Sequence, residues 1–111
     1  MNRLSVSIIF AFVSIWSVSS AQPKHEMRMV WIATVNNIDW VPAGAVEPYR
    51  QQEAMIAMLD TFKRLNINAI VLQIRPTADA FYQSHVEPWS HFLTGKQGRA
   101  PYPYYDPLTF T

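Results

Sequence analysis

The 111-residue chain contains no cysteine, which excludes disulfides, thiolate metal sites, a cysteine nucleophile and a lipid anchor built on an N-terminal cysteine. It has only 3 glycines, none arranged as a phosphate-cradling loop or a dinucleotide-binding fingerprint. No Gly-x-Ser-x-Gly elbow is present, so a serine triad has no support. Charge is sparse at 15% of residues, and the formal net charge is +1. With neither sign in excess, electrostatics offers no case for nucleic acid or an anionic surface. The three histidines, His25, His85 and His91, do not fall at metal-ligand spacing. Neither a metal nor another cofactor is therefore expected.

What is present is apolar and aromatic. Half of the residues are hydrophobic and 14% are aromatic, which rules out a disordered composition. The first apolar stretch is an address rather than a fold element. Arg3 supplies a short positive start, Leu4 to Val18 is mostly apolar, and Ser19, Ser20 and Ala21 place small residues at a cleavage position. The stretch falls short of the roughly 20 residues needed to span a bilayer. Residues 1–21 are thus expected to be a signal peptide cleaved after Ala21, with the mature domain at 22–111 exported to the periplasm or the extracellular space. Membrane contact would then be transient, through the signal alone.

In the mature part, Met27 to Val35 is apolar apart from Arg28 and rich in strand formers, so it predicts a strand covered on both faces. Asn36 to Pro42 breaks it with turn residues. From Arg50 to Leu65 the period becomes helical. Met55, Met58, Leu59, Phe62 and Leu65 make an apolar stripe with Ala54 and Ile56 at its edge, and Gln52, Glu53, Asp60, Lys63 and Arg64 lie opposite. Pro48 near the start and Asn66 near the end suit helix boundaries. Ile67 to Ile74 predicts a second buried strand, closed by Arg75 and Pro76. Strand, helix and strand with short links make a βαβ unit, whose strands run parallel. Residues 76–106 carry no sustained pattern, although a short helical turn fits Asp79 to Tyr82. Asp106 and Pro107 then fit the cap and first position of another helix.

Parallel sheets gather ligands beyond the C-terminal ends of their strands. Two loops leave that face here, 36–49 and 76–106. They bring Asn37, Asp39, Trp40, Arg75, Asp79, Tyr82 and Trp89 towards one rim. Each has a structural alternative. Asn36 and Asn37 suit the turn as well as a ligand, and Asp39 could cap that turn through its own backbone. Trp40 could pack over the core or stack on a sugar. Arg75 must find a carboxylate or a polar ligand, with Asp79 as the nearby structural partner. Gln73 is expected to bond a neighbour, and Tyr82 and Trp89 to pack their loop. Asp39 and Asp79 are the acidic residues expected on this face, where a glycosidase would need two carboxyl groups across a cleft. Glu47 and Glu87 have no visible partner.

The run Val30-Trp31-Ile32-Ala33-Thr34-Val35-Asn36-Asn37-Ile38-Asp39-Trp40 resembles the first strand and loop of the glycosyl-hydrolase-like 10 family, formerly a domain of unknown function. The resemblance continues through Asn68-Ala69-Ile70-Val71-Leu72-Gln73-Ile74-Arg75-Pro76, Asp79-Ala80-Phe81-Tyr82, Glu87-Pro88-Trp89-Ser90, Leu93-Thr94-Gly95 and Tyr105-Asp106-Pro107-Leu108. The segments occur in order and at matching spacing over nearly all of the mature chain. Met29 stands where the family usually has a glycine, a change that a strand accepts. The resemblance implies an α/β fold, the first βαβ portion of a (β/α)8 TIM-type barrel left incomplete in this chain. It also implies a secreted glycoside hydrolase acting on a cell-envelope, peptidoglycan-type or other polysaccharide. Barrel glycosidases tend to carry their acid and base after later strands, which puts the catalytic pair beyond residue 111 and leaves the rim residues as one wall of the substrate cleft. The alternative is a non-catalytic carbohydrate-binding or scaffold protein on the same fold.

Overall fold

The computed structural model describes residues 26–111. The segment 1–21 read as a signal peptide lies outside the described residues. Strand β1 spans Met29–Ile32, helix α1 Pro48–Arg64 and strand β2 Ala69–Leu72. The two strands pair in parallel, in register from Met29 opposite Ala69 to Ile32 opposite Leu72. The strand–helix–strand order and its parallel sense are those expected from the change of period along the chain.

Local chemistry sets the ends of α1. Pro48 occupies the first turn, where its missing N–H leaves no bond unmade. At the other end Asn66 adopts a left-handed φ of 59°. The Ile67 N–H then reaches back to the Phe62 carbonyl (2.9 Å) and the Asn66 N–H to that of Lys63 (3.1 Å), a Schellman closure of the last turn. Asparagine pays less than most residues for that conformation. Lys63 and Arg64 complement the negative end of the helix dipole. Just beyond, Asn68 fastens the start of β2 to the segment leading into β1. Its Oδ1 accepts from the Arg28 N–H (2.9 Å) and its Nδ2 donates to the Glu26 carbonyl (2.7 Å).

The strands differ from expectation in being covered on one face. Ile32 is buried, and Ile70 and Leu72 pack into the same cluster as Ala54, Met55, Met58, Leu59 and Phe62 of α1. The alternate residues Met29, Trp31 and Val71 are 54%, 59% and 36% exposed. Successive strand residues point to opposite faces, and among the described residues apolar partners are supplied only on the helix side. The helical stripe also shifts slightly. Leu65, at the last turn, and Ile56 are exposed, whereas Gln51, one turn before Met55, is fully buried.

Much of the core comes from outside the regular elements. Trp40, Val41 and Ala45 from the β1–α1 loop join Phe81, Trp89 and Leu93 from the segment after β2. Trp40 and Phe81 rings lie 6.0 Å apart at 47°. That long segment is ordered by backbone bonds: Phe81 N–H to Ile74 O (3.0 Å), Ala80 N–H to Pro88 O (2.9 Å) and Ser90 N–H to Ala80 O (2.9 Å). The Asp79–Tyr82 stretch is therefore not a helical turn, because Ala80 forms a parallel bridge with Trp89. Two short helices follow. In α2, His91–Thr94, the Ser90 Oγ accepts from Phe92 N–H, and Gly95 at φ 75° ends the turn. In α3, Pro107–Phe110, Asp106 caps the Leu108 and Thr109 N–H groups with Pro107 in the first turn, as expected.

Gln51 joins these parts. Its Nε2 donates to the carbonyls of Ala45 and Leu93, each at 2.7 Å, and its Oε1 accepts from the Tyr105 hydroxyl. Its backbone carbonyl accepts from Trp40 Nε1 (2.9 Å). Burial pushes the Tyr105 phenol well above its ordinary range, so it keeps its proton and remains a donor. In the full-length protein, Gln51→Ala is expected to strand two buried carbonyls and a phenol, at a cost of about 2–4 kcal/mol in a urea unfolding titration. A loss below about 1 kcal/mol would show that the amide does not hold the loops together.

Candidate functional site

The site is built where β1 and β2 end. Past the strands, Gln73 N–H still donates to the Ile32 carbonyl (3.0 Å), extending the ladder by one step. The Gln73 side chain then turns across to the other strand's exit. Its Oε1 accepts from the N–H groups of Thr34 and Val35, both at 3.0 Å, while the buried Thr34 Oγ1 donates to the Gln73 carbonyl (2.7 Å). Gln73 thus bonds a neighbour as expected, and in doing so binds the roots of both loops to one another.

The first loop opens with a short 3-10 turn, Val35–Asn37, in which Asn36 and Asn37 take φ of 52° and 53°. Asparagine tolerates this left-handed region better than most residues. Asn37 also donates from Nδ2 to the Phe92 carbonyl of α2 (2.8 Å), which holds the first loop against the second. Asp39 closes the turn. Its Oδ2 accepts from the Ala33 N–H (2.8 Å), and the Ala33 carbonyl accepts from the N–H groups of Asp39 and Trp40. The residue is exposed, and its Oδ1 accepts no hydrogen bond among the described residues.

The second loop starts with Arg75, and here the partner differs from the one expected. Arg75 pairs with Glu87, not Asp79. The hydrogen bond and charge of Glu87 hold the guanidinium's pKa above its ordinary value, with a lesser contribution from Tyr82. The Arg75 side chain is 58% exposed and that of Glu87 12%. Glu87 presents one oxygen to the arginine. Its other oxygen, Oε2, is buried with no hydrogen-bond partner among the described residues. A buried carboxylate oxygen needs a hydrogen-bond donor, which water, a ligand or further protein supplies. Nothing in the sequence pattern singled Glu87 out, because an ion pair across twelve residues of irregular chain has no periodic signature.

Asp79 is fully buried and accepts from the N–H (3.3 Å) and Oγ1 (3.0 Å) of Thr77. It shapes the turn that contains Ala78 at φ 54°. Asp39 and Asp79 consequently do not form an exposed pair of carboxyl groups across a cleft. Trp40 is also fully buried, tied through its indole N–H to α1, so it packs beneath the rim and offers no open ring face. Trp89 is 9% exposed with its ring edge-on to Tyr104 at 6.4 Å, and Tyr82 is half-buried. The seven expected residues therefore divide. Asp39, Arg75 and Tyr82 keep accessible surface, whereas Trp40, Asp79 and Trp89 lie under it and Asn37 links the loops. Among the described residues, no three His, Cys, Asp or Glu side chains gather as metal ligands.

Over 110 residues the chain is 44% identical to Glycosyl hydrolase YngK of Bacillus subtilis (strain 168), an alignment covering 97% of this chain and 21% of that protein. Over 99 residues it is 39% identical to Glycosyl hydrolase DigH of Escherichia coli (strain K12), covering 83% of this chain and 22% of the relative. The chain spans about a fifth of the length of these curated relatives. Residues 26–111, the whole of the described segment, match the family described as Glycosyl hydrolase-like 10, and the chain belongs to that family.

Proposed function

We propose that this chain is the opening βαβ portion of an exported (β/α)8-barrel glycoside hydrolase, and that its two rim loops form one wall of a glycan cleft. The observation that carries the proposal is the Gln73–Thr34 joint, which brings the loops after both parallel strands to the same end of the sheet. Ligands of parallel α/β folds collect at that end. The exposed apolar face of Met29, Trp31 and Val71 suits a barrel interior closed by further strands. The family and the names of the relatives support a glycan as substrate, and a cell-envelope or peptidoglycan-type polysaccharide is the proposed one. Residues 1–21 would direct export and then be removed.

In this reading Asp39 and Arg75 touch the sugar. Asp39 accepts from hydroxyl groups through the oxygen its own turn does not use, and Arg75 donates from the part of its fork that Glu87 leaves open. Tyr82 flanks them. Asn37, Trp40, Asp79 and Trp89 hold the loops in place. The general acid and base belong to later strands of the full-length protein. A catalytically silent glycan binder on the same fold is the competing reading, because a fold does not fix an activity.

Two measurements test the proposal. The full-length protein should release reducing ends from peptidoglycan glycan strands or from one of a panel of common polysaccharides. Asp39→Asn and Arg75→Ala should each lower kcat/KM by about tenfold or more, as loss of a charge-assisted hydrogen bond does. Binding without turnover would favour the binder, and full turnover and affinity in both variants would remove these residues from the cleft. Separately, N-terminal sequencing of the exported protein should begin at or within a few residues of Gln22. A mature protein still carrying Met1 would contradict the cleaved signal.

A further inference from the structure

A second concavity, a cavity of about 220 Å3, lies between the two loops at the start of α1. Val46 and Glu47 from the β1–α1 loop line one side, and Thr94, Arg99 and Tyr102 from the segment after β2 line the other. Both walls belong to the chain that follows the C-termini of the two strands.

The cavity walls are held together from below. Gln51 bonds the carbonyls of Ala45 and Leu93, the residues that immediately precede the two walls. Gly95 sits against Val46, where an added Cβ would meet Val46 Cγ1 at 3.7 Å. The Gly98 N–H donates to the Trp89 carbonyl (2.8 Å) in a turn at φ 80°, a conformation that glycine adopts without strain. Arg99 follows directly. The pocket is therefore held from below by the buried polar bonds of Gln51 and by the Gly98 turn.

Its charge is uneven. Glu47 is answered by Arg50 at 3.9 Å. Arg99 is exposed and makes no ion pair among the described residues, and Lys96 stands in the same turn, its carbonyl accepting from the Arg99 N–H (3.3 Å). Of these two cations, Arg99 lines the cavity. Tyr102 also lines the cavity and is 85% exposed. The volume is below the ~300–1,000 Å3 typical of sites for drug-sized ligands, which suits a single ring.

We propose that this cavity is a subsite for one carboxylate-bearing sugar unit. Arg99 pairs the carboxylate through its planar fork, Tyr102 stacks on the ring face, and Glu47 accepts from a ring hydroxyl. The proposal rests on the glycan-processing reading of the chain and extends it from the rim to a second position along the polysaccharide.

The test is a titration of the full-length protein with free glucuronate and, in parallel, with glucose, followed by ligand-observed NMR. Glucuronate should bind more tightly than glucose. Arg99→Ala should weaken glucuronate about tenfold and leave glucose unchanged, Arg99→Lys should weaken it less, and Tyr102→Ala should weaken both sugars. An unchanged circular dichroism spectrum and melting temperature in each variant separate a lost contact from a lost fold. Glucuronate binding that is absent, no tighter than that of glucose, or indifferent to Arg99→Ala would overturn the subsite. Polysaccharide turnover and affinity of Asp39→Asn and Arg75→Ala, measured alongside, keep the two claims apart: failure of the rim reading appears as unchanged turnover and affinity in those two variants, and failure of the subsite appears in the glucuronate titration.

Discussion

The described structure depends on how two parallel strands are held level where they end. A parallel pair of four-residue strands has few ladder bonds of its own, and each exit leaves backbone N–H groups that must be satisfied. Gln73 answers two of them with a single amide oxygen, and Thr34 returns a hydroxyl to the Gln73 carbonyl. Side chains thus continue the sheet past the point at which its backbone pairing stops. The consequence is positional. Asp39, which folds back onto Ala33, and Arg75, two residues beyond Gln73, leave from adjoining roots.

A second polar centre lies behind the first. Gln51 is placed on the helix face that would otherwise carry an apolar residue, and it gathers Ala45, Leu93, Tyr105 and Trp40 around one amide and one carbonyl. Buried amides of this kind are stabilising only when all their bonds are made. Here both donor bonds and the acceptor bond are present, which accounts for a core drawn largely from loop residues. Glu87 is the contrast. One oxygen accepts from Arg75, and the other is buried with no hydrogen-bond partner among the described residues.

How far the residues announced this can be followed position by position. The βαβ order was readable because period and composition change sharply at Pro48 and Asn66, and because Asp106-Pro107 has one dominant structural use. The family was readable from the ordered segments running from Val30 to Leu108. The single-faced burial of the strands was not, since a continuous apolar run looks the same whether its second face is covered by described residues or by others. The partners of polar side chains were the least visible part. Arg75 had to find a carboxylate, but choosing Glu87 over Asp79 requires knowing that Thr77 takes Asp79 into a turn. Gln51 sat at the start of the apolar stripe and was hidden by its own polarity. Trp40 was weighed as core or ligand platform, and only its bond to the helix carbonyl decides for the core.

The central claim is that one glycan-contacting surface is assembled from the chain that follows each of the two parallel strands. Its most direct measurement is a crystal structure of the full-length protein with an uncleaved oligosaccharide bound. The account predicts sugar atoms within hydrogen-bonding distance of both Asp39 and Arg75, with Gln73 still joining Thr34 beneath them. An oligosaccharide seated away from both loops, or touching this segment only at the opposite end of the strands near Asn68, would contradict it.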